Sequence, residues 1–351
     1  MTQVRFRQAL ATLPTYVAGK GEAGKVVKLS SNELPFPPDS SVIQAGVNAL
    51  SSANRYPSAI GSALVEKLAA RFGLEQNQVV VGPGSIQVLA NAITAVAQAN
   101  NNVIYPWRSF EAYPILVGIT GASSRKIPLT EQGSHDLKAI LEAVDADTSA
   151  VILCSPNNPT GSSLSAEQVR EFLKVLPHTV LAVLDEAYFE FDTSPGHVDG
   201  TDLLADFPNL LVLRTFSKAY GMAGLRCGYG LTSPQVAAAI RKVATPFGLS
   251  NVAEACALAA LAAEETVRQQ VGEITQERER VLNILRDNGW NIPQAGGNFI
   301  WFNGQIGAEI QAAMLSQGIQ TRGFPEGLRV TIGSRTENDQ FLMVMRDIKP
   351  S

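Results

Sequence analysis

Arg214-Thr-Phe-Ser-Lys-Ala-Tyr-Gly-Met-Ala-Gly-Leu-Arg-Cys-Gly-Tyr229 joins two apolar runs, Leu210–Leu213 and Cys227–Leu231. The pattern predicts a strand, a glycine-rich loop and a second strand, with Lys218 just beyond the end of the first. Four earlier runs have the same character: Val79–Val81, Val103–Tyr105, Val151–Cys154 and Val180–Leu184. Between most of these runs lie stretches of helical spacing, among them Ser62–Phe72, Ser85–Ala99, Asp136–Val144 and Ser165–Leu176. The last opens as Ser-x-x-Gln, so Ser165 and Gln168 can exchange hydrogen bonds with the first free amides of a helix. Strands alternating with helices predict an α/β fold, a mostly parallel central sheet with helices on both faces. Sheets of that kind carry their chemistry in loops beyond the carboxyl ends of the strands.

The pattern changes after Pro246. Residues Asn251 to Asn288 are rich in Ala, Glu and Arg, with Asn251 and Glu254 placed for a helix start and Gly289 for its stop. Read as one continuous helix, the stretch would be roughly 55 Å long, enough to run between domains. Asn298–Phe302, a helical Ile306–Gln317 and Leu328–Ile332 then predict a smaller α+β unit. The expected organisation is an N-terminal arm, residues 1–30, that joins the small domain; a large domain, 31–250; and an interdomain helix with the small domain, 251–351.

Composition narrows the partners. With 45% hydrophobic residues the chain can bury a large core, and a net charge of −4 offers no positive field for nucleic acid or an anionic membrane. From Gln76 to Trp107 there is no formal charge, yet Gly82-Pro83-Gly84 and Asn100-Asn101-Asn102 interrupt it, which fits a buried strand and helix rather than a membrane span. No apolar block of signal-peptide length follows Met1, so a cytoplasmic location is expected. Cys154, Cys227 and Cys256 are widely spaced and read as reduced, mostly buried thiols. His135, His178 and His197 read as solvated, and no metal is expected.

Four stretches carry chemistry as an ordered set. Alone, Lys218 would be an ordinary solvated lysine, but at a strand end, with Ser217 beside it and Arg226 following, it suits imine formation with an aldehyde next to a bound phosphate. In Val183-Leu-Asp-Glu-Ala-Tyr-Phe189, Asp185 closes a strand and could pair with a protonated pyridine nitrogen; its bland alternative is a helix cap. Ser155-Pro-Asn-Asn-Pro-Thr-Gly161 is a stiff turn that could present the Asn158 amide to a phenolate oxygen. Val81-Gly-Pro-Gly-Ser-Ile86 passes from strand to helix through glycines, so the amides at Gly84 and Ser85 suit a phosphate. Gln87 stands where a dinucleotide fingerprint needs its third glycine, which disfavours nicotinamide binding.

Together these motifs resemble the fold-type I pyridoxal-phosphate transferases of the class I/II aminotransferase group, in the branch of the histidinol-phosphate and aromatic amino-acid (phenylalanine) aminotransferases. The resemblance also covers Leu13-Pro-Thr-Tyr16, Leu29-Ser-Ser-Asn-Glu33, Asn54-Arg-Tyr-Pro57 and Leu328-Arg-Val-Thr-Ile-Gly333. It implies pyridoxal 5′-phosphate as cofactor, with Lys218 holding the aldehyde and moving the proton, Asp185 on the pyridine nitrogen, and Tyr188 and Asn158 on the 3′ oxygen. Gly84, Ser85, Ser217, Arg226 and Thr215 would form the phosphate cup. Phe110 would stack on the ring where many relatives have Tyr, and a flat face is all that stacking needs. Tyr56 would reach the neighbour's cofactor phosphate in a homodimer with a shared active site.

For substrate, the resemblance implies Arg329 on the α-carboxylate, with Tyr16, Asn32 and Arg322 as further contacts. The small-molecule partners are an amino acid and a 2-oxo acid. Thr321-Arg-Gly-Phe-Pro325 puts an apolar residue where histidinol-phosphate members often have Arg-Asp, and Pro-Trp-Arg-Ser-Phe-Glu-Ala-Tyr-Pro, 106–114, is similar to aromatic members. The expectation is therefore transamination of an aromatic amino acid with 2-oxoglutarate, with Phe110, Trp107, Phe36 and Phe324 as the apolar wall. The alternatives are a histidinol-phosphate aminotransferase, a decarboxylase of the same fold, and a non-catalytic binding protein.

Overall fold

The structure, a computed structural model, describes residues 4–11, 13–15 and 26–350. Its first strand, β1 (Val27–Lys28), lies outside the main sheet. Strands β2 (Val79–Gly82), β3 (Asn102–Trp107), β4 (Ser123–Pro128), β5 (Thr148–Cys154), β6 (Leu181–Asp185), β7 (Leu210–Thr215) and β8 (Gly228–Thr232) form a seven-stranded sheet in the order β2-β8-β7-β6-β5-β3-β4. Only β8 runs against its neighbours, β2 and β7; the other pairs are parallel.

Because helices cover both faces, the inner strands are apolar along their length and alternate residues feed two cores. Ile152, Val183, Leu211 and Leu213 pack with Val88, Ile93, Tyr113 and Ile240 on one side. Val151, Leu184 and Val212 pack with Leu64, Phe172 and Ala257 on the other. Strand β4 has no apolar run to announce it, since as an edge strand it exposes alternate residues.

Helices Ser62–Phe72, Ser85–Val96, Leu137–Glu142 and Ala166–Val175 occupy the expected stretches, and Ser165 with Gln168 forms the reciprocal cap. The long helix expected from Asn251 is two: Asn251–Ala262 and Glu264–Asp287, parted at Ala263 (φ −89°, ψ 34°). The second helix opens on Glu264 and Glu265, whose charges favour a new N-terminus, and Arg71 pairs with Glu264 at 2.9 Å. Ser250, not Asn251, caps the first helix by accepting from the Ala253 amide at 3.1 Å. Glu254 is buried and accepts instead from the Leu64 amide at 3.2 Å.

The C-terminal part contributes β9 (Phe299–Asn303), β10 (Ile319–Gln320), β11 (Arg322–Phe324) and β12 (Gly327–Thr331). An antiparallel sheet runs β11-β12-β9, while β1 pairs in parallel with β10 through Val27 and Ile319. Arg278, fully buried on the long helix, ties the two parts together: its Nη1 donates to the Phe191 and Gly297 carbonyls at 2.9 and 3.0 Å. Among the described residues no helix is long and apolar enough to cross a membrane. All three cysteines are free and buried. His135 is buried rather than solvated, and burial lowers its pKa to about 4.

Candidate active site

The carboxyl ends of β2, β3, β5, β6 and β7 meet the amino end of β8 along one edge of the sheet, as the pairings Gly82 with Gly228, Thr215 with Gly228 and Cys154 with Asp185 require. A cavity of about 460 Å³ opens there, lined by Ser85, Phe110, Asn158, Asp185 and Tyr188 from one set of loops and Thr215, Ser217, Lys218 and Arg226 from another. Arg322 and Arg329 line it from the small sheet.

Asp185 ends β6 with its side chain in this cavity. Its Oδ2 accepts from the Tyr113 hydroxyl at 2.8 Å, while Oδ1 is buried with no hydrogen-bond partner among the described residues. Burial raises its pKa to about 6 against the opposing effect of the Tyr113 bond. Lys218 Nζ donates to the Ser31 carbonyl at 2.9 Å. Burial first, and the Arg329 charge second, lower its pKa to about 7, so a large share of the amine is unprotonated at neutral pH.

Two glycines shape the anion end. Gly84 has φ +83°, and a Cβ there would lie 2.5 Å from Arg226 Nη2; a Cβ at Gly228 would lie 2.1 Å from the Ser85 amide nitrogen. Helix Ser85–Val96 starts at the cavity, where Ser85 and Ile86 line it. The Gly84 amide expected to face a phosphate donates instead to the Gly82 carbonyl at 2.7 Å, across the tight turn that leads into the helix. Arg226 itself adopts φ +55°, and its Nη1 donates to Ser217 Oγ at 3.1 Å and the Ala223 carbonyl at 2.9 Å. The Ser217 amide donates to Thr215 Oγ1 at 3.1 Å.

The two asparagines of the 155–161 turn divide their work. Asn157 is fully buried; its Nδ2 donates to the Arg108 carbonyl at 3.1 Å and Thr160 Oγ1 at 2.9 Å, and its Oδ1 accepts from Ser109 Oγ at 2.7 Å. Asn158 is thereby turned to the cavity, where its Oδ1 accepts from Arg329 Nη1. Arg329 Nη2 donates to the Ser30 carbonyl at 2.6 Å. The Tyr188 hydroxyl accepts from Asn32 Nδ2 at 3.0 Å, and its ring meets Phe299 edge-on at 5.0 Å.

Other residues singled out from the sequence lie further off. Asn32 is wholly buried at φ +54° and touches Tyr188 rather than lining the cavity. Tyr56 is 83% exposed and packs on Phe247 at 4.9 Å, away from the cavity of its own chain. Tyr16 lies outside the described residues. Of the expected aromatic wall only Phe110 lines the cavity. Trp107 stacks under Arg108 and Lys126 at 4.2 and 4.4 Å, Phe324 packs on Trp301 at 5.6 Å, and Phe36 joins the core. The wall is largely aliphatic: Ile86, Leu89, Ile115 and Leu116.

Sequence reasoning passed over Tyr113, which is fully buried and reaches Asp185. Its ring packs edge-on to Phe110 at 5.6 Å, a pairing that their separation of about one helical turn could have suggested. It also passed over Glu111, which lines the cavity and accepts from Arg322 Nε and Nη2 at 3.2 and 2.8 Å.

Residues 24–344 match the family described as aminotransferase class I and II. The chain is 43% identical to the aromatic amino acid aminotransferase of Streptomyces avermitilis, covering 98% of this chain and 97% of that protein. It is 44% identical to the aromatic amino acid aminotransferase of Thermobifida fusca, covering 97% and 96%. Among solved structures, the histidinol-phosphate aminotransferase of Sinorhizobium meliloti in complex with pyridoxal-5′-phosphate superposes with a TM-score of 0.89 at 29% identity, over 99% of both chains.

Proposed function

The chain belongs to the class I and II aminotransferases, and from that premise we propose that it transfers the amino group of an aromatic amino acid to 2-oxoglutarate. Its cofactor is pyridoxal 5′-phosphate. The residues suit that group on chemical grounds. Asp185 Oδ1 is buried without a donor, and a protonated pyridine nitrogen is such a donor. Gly84 and Gly228 carry no Cβ to crowd Arg226 Nη2 and the Ser85 amide, the donors at the anion end.

In this reading Asp185 takes the ring nitrogen, Lys218 the aldehyde, Tyr188 and Asn158 the ring oxygen, and Phe110 the ring face. The Ser85 amide, Ser217 and Arg226, with Thr215, take the phosphate, and Gly84 serves by its lack of a side chain beside Arg226. When bound, the cofactor draws electrons from the substrate's α-carbon and makes its proton acidic. Lys218 Nζ, with a pKa near 7, can accept that proton and give it back at neutral pH. Arg329 orients the substrate through a two-pronged grip on its α-carboxylate. Ile86, Leu89, Ile115 and Leu116 keep water from the side chain.

One observation carries the reaction: a buried lysine with a lowered pKa and a half-satisfied carboxylate line the same cavity. The substrate rests on the likeness to aromatic aminotransferases, seconded by the aliphatic wall. Histidinol phosphate is the second reading, favoured by Arg322 at the rim, but Glu111 already occupies that guanidinium. Supplying purified protein and cofactor with phenylalanine and 2-oxoglutarate is expected to yield glutamate and the 2-oxo acid with no carbon dioxide. Faster turnover of histidinol phosphate would replace the aromatic reading, and carbon dioxide release would indicate a decarboxylase.

The reading also makes the protein a cytoplasmic homodimer in which Tyr56 reaches the cofactor phosphate of the second copy. Its support is an exposed apolar stripe, Ile43 and Val47 on the helix Ser40–Ala49 and Leu50 in the turn that follows it, together with the exposure of Tyr56. Light scattering that returned a monomer mass for the loaded protein would refute it.

A further inference from the structure

Asn32 does not line the cavity, yet its side chain ends on a residue that does: its Nδ2 donates to the Tyr188 hydroxyl at 3.0 Å. Which end of that amide faces Tyr188 is decided by Thr331 on β12. The Asn32 backbone N–H, which can only donate, gives its hydrogen to Thr331 Oγ1 at 2.9 Å. Thr331 Oγ1 accepts there and has its own hydrogen left, which goes to Asn32 Oδ1 at 2.9 Å. With the amide oxygen so engaged, the end that meets Tyr188 is the NH2 group. Turned over, the amide would set its NH2 against Thr331 and leave the hydrogen of a hydroxyl residue only 2% exposed without this acceptor. The backbone beneath is fixed as well: Asn32 is wholly buried at φ +54°, which asparagine tolerates, and its carbonyl accepts from Asn298 Nδ2 at 3.2 Å.

A hydroxyl that accepts from Asn32 must point its own hydrogen elsewhere. Burial holds the Tyr188 hydroxyl above its usual range, so it keeps that hydrogen at neutral pH. Among the described residues no acceptor takes it, which leaves the cavity that Tyr188 lines. Accepting one hydrogen bond also polarises the O–H for donating another. The ionisable groups that act on Tyr188 are Arg329 on β12, Asp185 and Cys154 at strand ends, and Lys218, whose Nζ lies 5.7 Å from its ring centre.

We propose that Asn32, oriented by Thr331, is a positioning residue that obliges Tyr188 to donate its hydroxyl hydrogen into the cavity, onto the ring oxygen of the cofactor. The inference rests on the cofactor reading above and deepens it, giving Asn32 a role through Tyr188 in place of contact with substrate.

The readout is the pH midpoint at which the absorbance of bound cofactor changes in loaded protein without substrate. A donor on the ring oxygen draws charge from it, weakens its hold on the proton shared with the Lys218 nitrogen, and keeps that midpoint low. Asn32→Asp replaces the NH2 with an oxygen of similar size, which accepts from Tyr188 and turns its hydrogen away from the ring. The midpoint is expected to rise by about one unit or more, most of the rise that Tyr188→Phe produces. In a Tyr188→Phe background the same exchange is expected to add less than half as much, because no hydroxyl is left to redirect. An unmoved midpoint in Asn32→Asp overturns the proposal; so does half or more of the rise persisting without the hydroxyl, which would mark the field of an added charge. If Asn32→Asp does not accumulate as loaded protein, Asn32→Gly decides. Glycine accepts the same φ and keeps the backbone N–H on Thr331, so loss of the amide alone should raise the midpoint by about 0.5 units, and an unchanged midpoint overturns the proposal. A wild type that takes up no pyridoxal 5′-phosphate would sink the cofactor reading itself, whereas loaded protein whose midpoint ignores Tyr188→Phe would sink this inference alone.

Discussion

Asp185 and Glu186 are adjacent, both are carboxylates, both are buried, and they face opposite sides of the same sheet. Glu186 is satisfied on both oxygens: Oε1 accepts from the Gly200 amide at 2.7 Å and Oε2 from Arg214 Nε at 2.9 Å. Arg214 also donates to Asp199 at 2.7 Å and lies 3.7 Å over the Phe189 ring. Asp185 has Tyr113 on Oδ2 and, among the described residues, no hydrogen-bond partner on Oδ1. A buried carboxylate with every lone pair matched holds a fold together, whereas one left half-matched raises its energy until something supplies a donor. One side of the sheet edge is therefore architecture and the other is a site in waiting.

The strongest test of this contrast is Lys218→Ala. It should cost at least about 10³-fold in turnover, and borohydride should then fix no cofactor to the chain. Full-strength trapping in that variant would remove Lys218 from its assigned role. Next come the paired substitutions at the two carboxylates. Asp185→Asn should lower turnover by about 10²-fold or more yet stabilise the cofactor-free chain by about 1–3 kcal/mol at pH 7.5. The sign follows from the raised pKa: the folded chain holds this proton more tightly, so stability is lost as pH rises from about 4 through about 6. The stabilisation should accordingly fade below about pH 4 in denaturant titrations. Glu186→Gln should instead destabilise by about 3 kcal/mol, because Arg214 stays buried and charged with one carboxylate fewer. Burial raises the Glu186 carboxyl too, to about 7, so the contrast with Asp185 rests on Arg214 and not on the titration of the carboxyl itself.

Tyr113→Phe sharpens the contrast by removing the hydroxyl that donates to Asp185 Oδ2. Cofactor affinity should drop about tenfold with little change in fold, readable by equilibrium dialysis; an unchanged affinity would mean the hydroxyl only fills space. The smallest expected effect concerns Lys218. Its free amine is the form that attacks an aldehyde, so the rate of cofactor capture by the cofactor-free chain should climb through about pH 7 and level off above it. A rise delayed to about pH 10 would show the amine to be solvated.

How much of this could be read from residues alone depends on distance along the chain. Asp185, Lys218, Asn158, Ser217 and Arg226 stand at strand ends or in glycine- and proline-rich turns, where the local pattern itself says that a side chain faces a loop-lined edge. The parallel sheet was legible for the same reason, since each inner strand is a short apolar run between helical spacings. Tyr113 was not, because the hydroxyl's partner is decided by how two distant segments pack. The same holds for the aliphatic wall: Trp107 and Phe324 look like pocket residues until Arg108, Lys126 and Trp301 cover them. The break at Ala263 hides in a stretch of good helix formers, where only the contacts of Arg71 with Glu264 and of Asp39 with Thr266 mark the new start. His135, in a polar stretch, gave no sign that the Asn157 turn would enclose it.

The central claim is that Asp185, unlike its neighbour, is kept short of a donor for the sake of the cofactor ring. Thermal unfolding of wild type, Asp185→Asn and Glu186→Gln, each with and without saturating pyridoxal 5′-phosphate, addresses it directly. The account predicts that the cofactor raises the melting temperature of wild type and Glu186→Gln by similar amounts and that of Asp185→Asn by far less. An equal rise in all three would contradict it.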